Sequence, residues 1–271
     1  MSHKHKLIKL SCYSSRTYML TDAQTIYTII CDIDPCVVFV TMIGGGGAGG
    51  IGYIDGSNIY SGGGGGSGSY VSKKMISVEN NDQFHVKIGS GGNSREMING
   101  CNTYLRQIRN NICVCELVMT GGQNGYPLYE NIEIIPSQSK TKSRESPNLS
   151  GGLGGINNMS LSINGVNGED GVFGISSQII AHGGKGGDSV FETGGIGGGG
   201  NTGSQIINRN VKIKENNNLN DGKTPLDLNG EDGNFGSGGG GSCPCSDFTR
   251  EKLSGNGGDG FCLLEFMSIF V

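Results

Sequence analysis

The 271-residue chain has no tryptophan, 6 prolines and 3 alanines. Alanine is the best helix former, and glycine costs about 1 kcal/mol per helical site relative to it. With so few alanines and 52 glycines, a helical protein is excluded. Collagen is excluded too, because it needs glycine at every third residue and abundant proline. Charged residues make up only 16%, and the formal net charge is −4, so there is no basic footprint for nucleic acid. Long apolar runs are also missing. The longest, residues 261–271, is interrupted by Glu265 and falls well short of the ~20 residues of a membrane span. Near the start, Leu7-Ile8-Lys9-Leu10 is too short and broken for the apolar region of a secretory signal. The chain is therefore expected to be soluble, without a signal peptide, and made in a cytosol-like compartment.

Glycine is abundant, at 52 of 271 residues, where about 7% is usual. Its distribution divides the chain. Residues 1–43 contain none, and a run of glycine begins at Gly44. The reading is an N-terminal extension with a first strand over 1–35, then a glycine-rich domain over 36–271. Polar loops are expected at 136–150 and 205–225. Strands are predicted at Ile26–Cys31, Cys36–Ile43, Tyr70–Val78, Phe84–Ile88, Ile112–Thr120, Ile132–Ile135 and Phe261–Phe266, all rich in β-branched and aromatic residues. Strict alternation puts Phe84, Val86 and Ile88 on a buried face and His85 and Lys87 on a wet one. In the closing strand both faces are apolar, which predicts a central strand or one at a subunit contact.

Glycine loses more conformational freedom on folding than any other residue and has no side chain to bury. The runs can be ordered only if backbone packs on backbone. Polyproline II allows this, with three residues per turn, about 3.1 Å rise and every N–H and C=O pointing outward. Flexible loops are the alternative. The runs are nearly pure glycine and bracketed by strands, which favours a packed array.

Chemistry-bearing motifs are sparse. Nine cysteines include Cys113-Val114-Cys115 and Cys243-Pro244-Cys245, spaced too tightly for a zinc site. In a strand Cys113 and Cys115 would share one face. At this glycine frequency about two G-x-G-x-x-G matches arise by chance, and none follows a strand and opens a helix as nucleotide binding requires. Gly222-Lys223-Thr224 has a phosphate-loop ending, but Asn217 stands where the first glycine belongs. His3 and His5 lie at a frayed terminus, and no orienting group is placed for His182. One repeat is clear: Asn167-Gly168-Glu169-Asp170-Gly171-Val172-Phe173-Gly174 recurs as Asn229-Gly230-Glu231-Asp232-Gly233-Asn234-Phe235-Gly236, with an echo at 256–261. It lacks the spaced oxygen ligands of a calcium loop and reads as a turn with a phenylalanine anchor. No residue is assigned a catalytic, cofactor-binding or metal role, and the chain is read as no enzyme.

The run Val38-Phe39-Val40-Thr41-Met42-Ile43-Gly44-Gly45-Gly46-Gly47-Ala48-Gly49-Gly50 resembles the opening of a glycine-rich domain family. Gly62–Val71, Phe84–Gly92 and the closing Gly255–Phe266 keep that family's order over most of 36–266. Such domains occur in phage tail-fibre and adhesin proteins and in virion proteins of giant DNA viruses. A similar region belongs to anaplastic-lymphoma-kinase-type receptors. The resemblance implies a jelly-roll, TNF-like β-sandwich carrying packed polyglycine helices. It also implies a non-enzymatic virion structural protein, a surface, fibre or capsid-associated component. The partners expected are a second and third copy of the chain in a homotrimer, other virion proteins, and a host surface glycan or receptor. The rival readings are a receptor- or glycan-binding adhesin and an extracellular ligand-binding module.

Overall fold

The computed structural model describes residues 3–11, 16–32, 36–55, 58–93, 95–96, 98–126, 150–156, 162–171, 173–175, 183–190, 194, 230–242 and 254–268. The expected strand at Ile132–Ile135, the loop 205–225, nearly all of 136–150, His182, the 222–224 motif, Cys243 and Cys245 lie outside these. Among the described residues all regular structure is β. It comprises β1 (Lys4–Ser11), β2 (Arg16–Leu20), β3 (Thr25–Asp32), β4 (Cys36–Ile43), β5 (Tyr53–Asp55), β6 (Asn58–Tyr60) and β7 (Tyr70–Val78). Then follow β8 (Gln83–Lys87), β9 (Thr103–Arg109), β10 (Ile112–Met119), β11 (Ser162–Ile163), β12 (Phe173–Ile175) and β13 (Phe261–Ser268). No helix there is long and apolar enough to cross a membrane.

Two five-stranded sheets, ordered β1-β3-β8-β9-β10 and β11-β7-β4-β13-β2, share one hydrophobic core. A small sheet, β12-β6-β5, stands beside them. Alternation decides which side chains reach that core. Phe84, Val86 and Ile88 are buried while His85 and Lys87 are exposed, as the sequence predicts. In β13, Cys262, Leu264 and Phe266 face inward, and the Phe266 ring meets Phe84 of the other sheet edge-on at 5.9 Å. β13 lies between β4 and β2, an interior strand as expected, but its second face is not fully covered, with Leu263 and Glu265 half-buried and Met267 exposed.

Two expectations are corrected, and a third holds where it can be followed. His5 is not in a frayed terminus but in β1, paired with Ile26 in a parallel ladder. β1 escapes recognition because its charged, exposed pattern is that of a protected sheet edge. Cys113 and Cys115 do not share a face. The ladder to β9 slips between them, and this bulge leaves Cys113 exposed while Cys115 packs against the core. In its second copy the repeat is a turn with a phenylalanine anchor. There Phe235 and Gly236 both have positive φ (41° and 74°), Ser237 N–H donates to Asn234 O, and Phe235 meets Phe261 edge-on at 5.7 Å. The first copy enters β12, which pairs with β6.

The functional interest lies where the strands end. β4, β8 and β10 finish, and β7, β9 and β13 begin, at one end of the two sheets. All six continue there into glycine-rich segments. Thr103 fastens this boundary: its Oγ1 donates to Ile43 O across the sheets at 2.7 Å and accepts from Gly89 N at 3.0 Å.

Candidate functional site: the glycine array

The row 61–69 occupies the centre of the array, and every residue in it is buried. Its N–H groups point three ways in strict rotation. Gly62, Gly65 and Gly68 donate to Ser242, Gly239 and Gly236 at 2.8–3.0 Å. Gly63, Gly66 and Ser69 donate to Tyr126, Gln123 and Thr120, and Gly64 and Ser67 donate to Glu169 and Val166. Its carbonyls rotate likewise. They accept from Gly44, Gly47 and Gly50, from Gly152 and Gly155, and from Gly184 and Gly187. Six rows thus surround one, each linked at steps of three residues. Nearly every backbone polar group of this buried segment is satisfied without a helix or sheet ladder.

The three-residue step gives each position a fixed direction, so glycine spacing encodes depth. The central row is glycine or serine in all three directions, and the buried row 44–50 beside it is glycine except for Ala48. A Cβ on Gly46, for example, would collide with the carbonyl of Ser237. In row 150–156 only Ser150, Leu153 and Ile156 escape the glycine rule; Leu153 and Ile156 are 48% and 63% exposed. In the outermost row, 165–171, only Gly165, Gly168 and Gly171 turn inward.

Where no row supplies a carbonyl, an Asn or Asp side chain replaces it, inside the array at Asn124 and at its rim elsewhere. Asn124 Oδ1 accepts from Ala48 N at 2.8 Å, Asp259 from Gly91 N at 2.7 Å and Asp232 from Asn256 N at 2.6 Å. Asn167 and Asp170, one three-residue step apart, cap Gly154 and Gly151, also one step apart. The repeat has a matching role in its two copies: Asp170 and Asp232 cap backbone N–H groups, and the carbonyls of Glu169 and Glu231 accept from Gly64 and Gly240.

A glycine-rich domain model matches residues 21–267. The chain belongs to the glycine-rich domain family. None of the curated proteins matches it. The matched span of this glycine-rich domain begins ahead of residue 36 and includes β3, whose ladders tie it to β1 and β8.

The buried titratable groups, Asp82 and the core thiols, lie outside the array. Asp82 has a fully buried side chain. Burial pushes its carboxyl up, but bonds from Arg109, Glu79 N–H and Gln107 Nε2 outweigh this and hold it below the ordinary range. Arg109 grips both oxygens at 2.9 Å, and Gln107 Nε2 adds a bond at 2.7 Å. The arrangement clamps the 79–82 turn to β9, with its charge fully committed. Burial, then Cys36 and Asp82, pushes the Cys31 thiol up to about 12. Burial raises Cys262 as well. Both are inert core thiols. Among the described residues no group of three or more His, Cys, Asp and Glu side chains gathers as a metal site. An open cleft lined by Thr21, Asp232, Asn234, Phe235, Asn256 and Asp259 lies where the second repeat meets its echo.

Proposed function

We propose that this domain is a non-enzymatic structural module, a surface, fibre or capsid-associated component of the virion of a large DNA virus. One observation carries the reading: the centre of the array is backbone packed on backbone, with three-way hydrogen bonding and no side chain free for chemistry. Such an arrangement is a stiff scaffold. The rows are polyproline-II helices in this reading, since a three-residue repeat with outward N–H and C=O is that helix's property. The two sheets form the jelly-roll that holds them. The virion assignment itself rests on the family resemblance.

Self-association as a homotrimer belongs to the same reading. The outer face of β2, β13, β4 and β7 presents Met19, Met75 and Met267, 56%, 61% and 47% exposed, around half-buried Leu263 and Phe39. Half-buried Glu265, opposite Phe39, lies among them, and apolar area gathered on one sheet face in this way marks a contact surface. Mass spectrometry of purified particles of the source virus should recover the chain as a stoichiometric component. Recovery only from the soluble fraction of infected cells would contradict the assignment.

The carboxylates, carboxamides and Phe235 of the open cleft support a second reading, a glycan-binding adhesin. Glycan-array binding that disappears in Asp259→Ala would favour it over the scaffold reading.

A further inference from the structure

Five Asn–Gly links, at Asn99, Asn124, Asn164, Asn167 and Asn256, lie among the described residues. At such links the glycine nitrogen can attack the preceding side chain unhindered, because glycine carries no Cβ. The N–H proton passes to solvent, a bond forms between the glycine nitrogen and Cγ, and ammonia leaves. Water then opens the resulting succinimide to aspartate or isoaspartate. An aspartate reacts likewise through its protonated carboxyl, losing water instead of ammonia. The nitrogen must be free to lose its proton and swing towards Cγ.

In this fold it is not free. Gly100, Gly125, Gly165, Gly168 and Gly257 each donate that N–H to a backbone carbonyl of a neighbouring row, at 2.8–3.1 Å. Gly233 and Gly260, following Asp232 and Asp259, do the same at 2.8 Å. Asp170–Gly171 differs. Gly171 N–H has no partner among the described residues, and Asp170 is exposed.

We propose that Asp170 is a site of spontaneous isomerisation, and that the glycine array closes the five Asn–Gly links around it to the same chemistry. Attack at a closed link requires local opening of the array. IsoAsp170 would add a methylene to a row with a three-residue step and carry its carboxyl away from Gly151 N, which it now caps at 2.8 Å. The outermost rows would loosen first.

Asn167 and Asp170 stand one step apart on the same exposed row, so the variant Asp170→Asn isolates the variable. Full-length variant protein is incubated at mildly alkaline pH, and deamidation at each asparagine is read by peptide mapping. Position 170 should deamidate at least about tenfold faster than Asn167, the ratio that an opening cost of about 1.4 kcal/mol produces. In urea the two should converge. Equal rates at 167 and 170 in the folded protein would overturn the proposal. If the variant does not fold, uptake of heavy oxygen from labelled water by wild-type protein gives the same discrimination. Uptake should appear at Asp170 ahead of Asp232 and Asp259, and equal uptake at all three would refute it.

Discussion

A single methyl group placed on the central row should damage the whole domain. Gly64 donates to Glu169 O at 2.9 Å and accepts from Gly152 N at 2.8 Å. A Cβ there would fall on the Lys185 carbonyl and 2.7 Å from Gly186 N, all of it backbone that cannot rotate aside. Gly64→Ala therefore forces row 183–187 away. That movement strains Gly184 N–H to Gly62 O, Gly187 N–H to Gly65 O and Glu169 N–H to Lys185 O, at 2.8, 2.8 and 2.9 Å. At about 1 kcal/mol each, their loss costs about 3 kcal/mol. The reduced freedom of the unfolded chain returns about 0.4–1 kcal/mol, which leaves roughly 2–3 kcal/mol. For a chain of this size that lowers Tm by roughly 5–10 °C, and Gly64→Val should do more. Scanning calorimetry measures it, with Lys185→Ala as a control because that side chain points outward from its row. A Tm for Gly64→Ala equal to wild type would refute close packing and leave a flexible loop.

Asn124→Ala should cost about 1–3 kcal/mol in urea titration, because buried Ala48 N–H loses its acceptor. Asp82→Ala should cost about 3 kcal/mol, the low end for breaking a buried pair, since Arg109 keeps partial access to water. Because the folded Asp82 pKa is depressed, its contribution is full above the unfolded value of about 3.9. It fades as pH falls through the folded pKa, so acid titration of wild type should show a loss that Asp82→Ala lacks. A thiol alkylating agent should label exposed Cys101 and Cys113 in the native protein but reach Cys31 and Cys262 only on unfolding. Light scattering should report a trimer, and Met19→Glu with Met75→Glu should reduce it to monomer.

Strands with clean alternation are legible in the amino-acid pattern alone. β7 spans Tyr70–Val78, the bounds its apolar run predicts, β8 buries the face assigned to it, and β13 buries one of its two apolar faces while Leu263 on the other stays half-buried. β9 is not legible because its third inward position is Gln107, a polar residue placed there to satisfy buried Asp82. The hairpin signal lies in Asn110-Asn111, whose positive φ values of 49° and 62° suit a two-residue turn. β2 hides because most of it is an exposed edge. Order in the glycine runs can be argued from their purity. The rim caps cannot, because whether Asn167 or Asp170 faces a bare N–H depends on which distant row lies beside it. The richness in asparagine, 25 residues, has part of its explanation in those caps.

Amide hydrogen exchange by NMR addresses the ordering of the glycine rows without any mutation. Every N–H from Gly62 to Ser69 donates to a carbonyl of another row. These amides should therefore exchange as slowly as those of β4 and β13, through global unfolding only. Exchange of Gly62–Ser69 at the rate of an unstructured peptide, while β4 and β13 stay protected, would contradict the array and reduce the glycine runs to loops.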